Sequence, residues 1–268
     1  SNEIILGRYT FSTSSPGTPT LEQAAYTDEN FENYKEEIGI EVSNAANVEF
    51  IEYSGLHRDG TIDNSNHLND LNATANNIGE WIDSVRENGG YYIGRYEASY
   101  ASGSSVENYK AATKISTGYR TETDGSMSYN SGTLWNWISQ MNASKVAINT
   151  YEDSRSVKSD LMNSYAWDTA IVYIQECGNT NYANQTSKNS SLANTGTNDD
   201  EICKINDMSS NIYEWTTEYS SYTNEGNAYP STCRGGLYTD RGNYVADRTS
   251  HYAIANSDYL GFRLSLYM

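Results

Sequence analysis

Three cysteines and three histidines are the side chains here best suited to nucleophilic or metal chemistry, and their spacing argues against both. Cys177, Cys203 and Cys233 form no CxxC pair, and His57, His67 and His251 are scattered, so the ligand spacing of a zinc site is missing. A GxSxG elbow, an HExxH helix, a P-loop and a dinucleotide-binding glycine pattern are all absent. The 35 Asp and Glu residues could furnish acid–base pairs, but sequence alone brings no two of them to one cleft. Most read as solvated surface groups. The odd cysteine count excludes a fully paired framework and leaves room for one bridge. Cys203 and Cys233 both lie near the expected C-terminal strands, and whether they pair stays open.

The richest pattern of another kind lies between Gly236 and Gly261. Tyr238, Tyr244, Tyr252 and Tyr259 alternate there with Asp240, Arg241, Asn243, Asp247, Arg248, Ser250, His251, Asn256, Ser257 and Asp258. Tyrosine brings contact area and a hydrogen-bonding tip at low entropic cost, while Asn, Ser and Gly adapt to varied polar partners. Residues 237–259 therefore read as a ligand-binding segment. Its face is expected to be lined by Leu237, Tyr238, Asp240, Asn243, Tyr244, Asp247, Ser250, His251, Tyr252 and Tyr259. The competing expectation is that several of these tyrosines simply fill the interior.

A scaffold must hold such a face. "EIILGRYTF" reads as a strand before a Gly/Pro/Ser turn, and "VEFIEYSG" as a second strand with Val48, Phe50 and Tyr53 inward. Residues 58–77 are Asn- and Asp-rich and read as loop. In "IGEWIDSVRENGG", Ile78, Trp81, Ile82 and Val85 recur at helical spacing, and Asn88-Gly89-Gly90 stops the helix. "YYIGRYEASYA" reads as one strand. "TLWNWISQMN" reads as a short helix with Leu134, Trp137, Ile138 and Met141 on one side. "SDLMNSYAWDTAIVYIQECGN" reads as another, with Ala166, Trp167, Ala170, Ile171 and Ile174 inward. Residues 178–200 are loop-like, and "NIYEWTTEY", "CRGGLYT" and "LGFRLSLYM" read as strands. Neither flank of 178–200 has the apolar periodicity to build its own core, so residues 1–268 are expected to form one α+β domain with much irregular backbone.

Mean hydropathy is low at −0.71, yet 24 tyrosines and 5 tryptophans supply buriable surface. That separates the chain from disordered sequences of similar charge. A net charge of −18 disfavours nucleic acid as a partner, since phosphate binding needs clustered Lys and Arg. No apolar run reaches the roughly 18 residues of a spanning helix, so no membrane insertion is expected within these residues. The Asn, Ser and Thr abundance suits an extracellular, cell-surface or virion location.

The motifs "GGYYIGRYEAS", "LWNWIS", "SDLMNSYAWDTAIVYI", "INDMSSNIYEWTTE", "CRGG" and "YLGFRLSL" occur in an order that resembles the formylglycine-generating-enzyme (sulfatase-modifying-factor) family. The likeness runs from about Gly89 to Met268 and implies an elaborated C-type-lectin fold with few helices and short twisted antiparallel strands. On the residues themselves, Trp167, Trp215, Tyr213 and Phe262 read as core aromatics, Gly235 and Gly236 as a tight turn, and Arg263 as a structural ion-pair partner. The resemblance further implies calcium held near Asn211 and Glu214 by oxygen ligands. Ser210, standing where relatives usually carry glycine, departs from that pattern. The family's enzymes bind copper through two cysteines beyond the Gly-Gly turn. The corresponding positions here are Asp240 and Val245, neither of which can form a thiolate.

The chain is therefore expected to be no enzyme and to require no cofactor. The segment is also similar to the variable proteins of diversity-generating retroelements, which place hypervariable residues in the last few dozen positions of a lectin-type fold. Their adenine-directed mutagenesis turns Asn codons into Tyr, Asp, Ser, His, Ile, Leu or Val, the types seen here. That resemblance implies a non-catalytic protein binding a protein or glycan on a cell or virion surface. The alternatives are a diverged enzyme of the same fold and a structural surface or adhesin component.

Overall fold

A computed structural model describes residues 4–25, 37–38, 50–53, 78–120, 129–239 and 242–268, with backbone pairing alone at 37–38 and 50–53. The loop expected at 58–77, the inward Val48 and the face residue Asp240 lie outside these residues.

Strands β1 (Gly7–Thr10) and β2 (Thr20–Ala24) form an antiparallel pair, and β3 (Glu37–Ile38) pairs with β4 (Phe50–Tyr53). Helix α1 (Ile78–Asn88) buries Ile78, Trp81, Ile82 and Val85, as their spacing predicts, and stops at Gly89 with φ +73°. The expected single strand over 91–101 is instead two, β5 (Tyr92–Ile93) and β6 (Ser99–Ser102). Between them the Gly94 carbonyl accepts from Arg263 and the Glu97 side chain turns into the interior, which breaks the ladder. β7 (Lys110–Ala112) pairs with β6.

The helix expected at 133–142 lies further along. Leu134 makes an isolated bridge to Ser99, Trp137 has φ +57°, and α2 (Gln140–Thr150) begins after the cap Ser139, whose hydroxyl accepts from the Asn142 N–H. β8 (Lys158–Leu161) then leads into α3 (Ser164–Cys177), capped by Asn163 and burying Ala166, Trp167, Ala170, Ile171 and Ile174. A 3-10 turn at Tyr182–Asn184 precedes the hairpin of β9 (Glu201–Ile202) and β10 (Ile205–Asn206). The chain ends through β11 (Tyr213–Ser220), β12 (Thr223–Asn224), β13 (Asn227–Ala228), β14 (Ser231–Arg234), β15 (Arg248–His251), β16 (Leu260–Phe262) and β17 (Leu264–Tyr267).

β11 is the centre of the main sheet. β14 lies antiparallel along one side of it and passes the ladder on to β15; β16, parallel, and β4, antiparallel, share the other side. A second sheet runs β5–β17–β8. Arg263 is the single residue between β16 and β17, so it stands where the two sheets meet. Trp81, Ile82, Trp167, Ile171 and Met208 anchor one hydrophobic core. Trp135, Ile138, Tyr213, Trp215 and Phe262 anchor the other. At the turn after β14, Gly235 has φ +91°, and a Cβ on Gly236 would lie 1.8 Å from the Ser209 carbonyl oxygen. Glycine is required at both. No helix among the described residues is long and apolar enough to cross a membrane.

Candidate functional site

Cross-strand pairing divides the main sheet into two chemically different faces. Because side chains alternate along a strand, Arg234 and Arg248, directly opposed on β14 and β15, project to the same side as Glu218 of β11. There Arg234 Nη2 lies 2.6 Å from Asp168 Oδ1 of α3, and Arg248 reaches Asp168 Oδ2 at 3.1 Å and Glu218 Oε1 at 2.9 Å. Arg8 of β1 approaches Glu218 at 3.6 Å. Three guanidiniums thus enclose two carboxylates with side-chain exposure of 0%. Burial pushes both carboxyls up, but Arg248 and Arg234 outweigh it and hold them below the usual carboxylate range. Arg234 also donates to the carbonyls of Asp247 and Ala246, fastening the 237–259 segment to this cluster. Sequence reading missed the cluster altogether; its only signal was an arginine preceding Gly-Gly.

A second buried polar cluster occupies the corner under β10 and β11. Arg263 makes a bidentate fork on Glu214 (3.0 and 2.6 Å) and donates to the carbonyls of Gly94 and Asn206, which agrees with the expected structural pair. Asn211 donates to Glu97 Oε2 at 2.7 Å, while its own Oδ1 accepts from the Ala193 N–H. Burial, then Asp207 and Glu214, drive the Glu97 carboxyl well above its ordinary range; burial also raises Glu214 and Asp200. The donor set at Asn211 and Glu214 does not fit calcium as arranged. Both Glu214 oxygens are engaged by a guanidinium, and the Asn211 oxygen is engaged by a backbone donor. The expected result of adding EGTA in a thermal melt is therefore no shift. A fall of several degrees, restored by calcium, would place the ion here after all.

The opposite side of the sheet carries the polar aromatics. His251 projects away from Arg248 and meets the Trp215 ring edge-on at 5.8 Å, with Tyr213 and Tyr259 each 6.4 Å away. Its Nε2 is enclosed with no hydrogen-bond partner among the described residues, and burial lowers its pKa to about 4. Asn243 donates to the Tyr213 hydroxyl. Tyr238 donates to Asp258 Oδ2 at 2.6 Å, and burial together with that carboxylate pushes its hydroxyl up to about 12. Tyr252 stacks on Tyr229 at 4.5 Å, which in turn contacts Tyr222. Tyr244 and Asp247 close a turn on each other, and Tyr244 bridges to Thr186 in the 178–200 loop.

Most of the expected face residues are half-buried, so the segment is neither interior nor detached. Two depart from the expectation. Leu237 is buried in the second core, because the Gly-Gly turn sends the chain inward before it emerges. Ser250 lies on the charged side, its hydroxyl 2.6 Å from that of Ser220, because strand alternation opposes it to His251.

A cleft of about 550 Å³ lies beside the second core, lined by Tyr100, residues 103–106, Tyr109, Tyr129 and Asn142. None of its lining residues carries a carboxyl, imidazole or thiol group, and none comes from 237–259. Cys233 is fully buried on β14, with its thiol directed at the Thr249 carbonyl and its pKa pushed well up by burial. Val245 is likewise buried, and its carbonyl accepts from the Trp167 indole.

Residues 149–266 match the sulfatase-modifying factor enzyme 1-like domain (FGE-sulfatase). The matched stretch begins near the end of α2 and takes in α3, the main-sheet strands β11, β14, β15 and β16, and β17. Of solved structures, the crystal structure of CarF is similar at 14% identity and a TM-score of 0.41, over 87% of this chain and 96% of that chain. No curated protein matches the sequence. With three helices and many short, mostly antiparallel strands among the described residues, the fold is α+β, of the formylglycine-generating-enzyme-like, elaborated C-type-lectin type.

Proposed function

We propose that this chain is a non-catalytic binding protein whose C-terminal segment is the diversified face of a retroelement variable protein, directed at a protein or glycan on a cell or virion surface. One observation carries the reading. Tyr238, Asn243, His251, Tyr252 and Tyr259 are half-buried side chains, each tied to its surroundings by a hydrogen bond or a ring contact, and the backbone that carries half-buried Tyr244 is held by a β-bridge. Anchored bases with partly open surfaces suit a pre-organised contact surface, since little side-chain entropy is left to lose on binding. The exchange of side chains on such a face leaves the buried ion clusters below it untouched. Val245, where the enzymes of the resembling family carry a cysteine, supplies a methyl-bearing side chain to the first core and no thiolate.

Two measurements test the two halves of this proposal. Screening against a glycan array and a panel of intact cells should yield a binder. Capture of that binder should fall at least tenfold in Y244A/Y252A, with the thermal midpoint within a few degrees of the parent. A midpoint drop of 10 °C or more would identify these tyrosines as core and remove the binding face. Sequencing the genomic neighbourhood tests the diversification half. A reverse-transcriptase gene beside a near-identical template of the 3′ end, differing at adenines, is the expected result; its absence would leave a fixed binding protein.

A further inference from the structure

Two of the three cysteines meet at the end of α3. The helix stops at Cys177, and the Gly178 N–H closes back on the Ile174 carbonyl at 2.9 Å. The β9–β10 hairpin turns through Cys203 and Lys204 alone, both with positive φ (51° and 69°), the backbone of a two-residue primed turn. That turn drives Cys203 against the helix end. A Cβ on Gly178 would lie 3.2 Å from Cys203 Sγ and 2.7 Å from Ile202 Cγ2. Cys203 Sγ therefore lies against the residue that follows Cys177, which makes the two thiols electrostatic neighbours. Cys177 is exposed and Cys203 half-exposed, so a small oxidant reaches both; Cys233 is sealed in the second core.

From this juxtaposition of an exposed helix end with a primed turn, we infer that Cys177 and Cys203 form a disulfide clasp when the chain meets a low-molecular-weight disulfide such as oxidised glutathione. One cysteine thiolate attacks a sulfur of the small disulfide and expels a small thiolate. The second cysteine thiolate then attacks the protein sulfur of the mixed disulfide and expels the other. Two electrons pass to the small disulfide, and the two cysteine protons end on the two small thiols. Burial and its neighbour hold the Cys203 thiol up, so Cys203 is not an activated nucleophile. Cys203 is correspondingly a poor leaving group, which makes the closed bond a lasting clasp and unsuited to rapid redox cycling.

The closed loop contains the bed of the C-terminal segment. Val245 N–H donates to the Gln185 carbonyl, Ala246 N–H to the Ala183 carbonyl, and Thr186 bridges to Tyr244. Fixing both ends of this loop restrains the backbone beneath Tyr244 whether or not the face above it binds anything.

The test compares the whole chain after dithiothreitol with the same chain after oxidised glutathione, both freed of reagent. Under denaturing conditions the reduced sample should titrate all three thiols, and the oxidised sample should titrate Cys233 alone. Peptide mapping should recover a cross-linked pair containing Cys177 and Cys203, short of two hydrogens. The thermal midpoint should rise by about 5–10 °C on oxidation, as expected for a loop of this length in a chain of this size. C203S should abolish both the cross-link and the rise while keeping the midpoint of the reduced parent. Three titratable thiols after oxidation, glutathione retained on either cysteine, or a Cys203–Cys233 link would each overturn the inference.

Discussion

The variant R263M is expected to lose most of its folded population at pH 7.5 and to recover much of it near pH 5. Arg263 is fully buried and is the only cation fixed within hydrogen-bond reach of Glu214 among the described residues. Removing one member of a buried ion pair costs about 3–5 kcal/mol, because the partner is left charged in a poor dielectric. Here the burden is larger, since Glu97, Asp200 and Asp207 lie in the same cluster and add repulsion. A total stability of about 5–15 kcal/mol is typical for a folded protein, so such a loss is close to decisive. The carboxyls of Glu97, Glu214 and Asp200 already sit above their unfolded values. Their contribution is fully present below the unfolded carboxyl range and is lost as pH rises through the folded values. Without Arg263 those folded values climb further, so the deficit of the variant narrows as pH falls from 8 to 5. Urea unfolding of parent and variant at several pH values measures this. A deficit that stays constant across that range would assign the loss to the orphaned Gly94 and Asn206 carbonyls and not to the carboxylates.

The Arg263 pair illustrates how much of this molecule is readable along the chain. An arginine inside the apolar run "LGFRLSLYM" has to find acceptors, and buried tryptophans and phenylalanines identify themselves by size, as Trp167, Trp215 and Phe262 do. Helix α1 is legible for a related reason, because its large apolar residues repeat at a helical period without interruption. Helix α2 is not. Its buried side is built from Ala143, Ser144, Val146 and Ala147, too small and too polar to stand out, while Leu134, Trp137 and Ile138, in the stretch just before it, imitate helical spacing. That stretch serves another purpose. Trp135 packs among Tyr100, Tyr109 and Tyr129, and the Asn136 side chain bonds the backbone of Arg120 and Asp258.

The segment proposed for binding shows its residue types in the sequence, but not which side of the sheet each one takes. Composition places tyrosines and amides between two glycine corners, whereas the pairing of β14 with β15 decides that His251 joins the rings and Ser250 the charges. The buried cluster of Arg8, Asp168, Glu218, Arg234 and Arg248 left no local trace. Its members come from β1, α3, β11, β14 and β15, and only the tertiary fold brings them together. Likewise, proximity in sequence to the C-terminal strands says nothing about cysteine geometry: Cys203 lies against Gly178, at the end of the helix that closes on Cys177, while Cys233 faces Thr249.

That hidden cluster carries the second large effect. The near-isosteric D168N is expected to destabilise the protein by about 3–5 kcal/mol at pH 7. It leaves Arg8, Arg234 and Arg248 facing Glu218 alone, and it turns an amide donor toward groups that are themselves donors, including the Tyr9 N–H. The pH window differs from that of R263M. Asp168 and Glu218 are held below their unfolded values, so their stabilisation is present above the unfolded carboxyl range and disappears as pH falls through the lower folded values. The difference between parent and D168N should therefore stay flat from pH 8 to about 5 and close only below about pH 4, where the parent loses the same charge. Arg234 also holds the carbonyls of Asp247 and Ala246, and Arg248 opens β15, so the loosened cluster should release the segment that carries Tyr244, His251 and Tyr252. Hydrogen exchange at the amides of residues 244–251 should accelerate in D168N well before global unfolding, while α1 keeps its protection. Uniform acceleration across the chain, or a difference that already narrows between pH 8 and 5, would show that this cluster does not underpin the face.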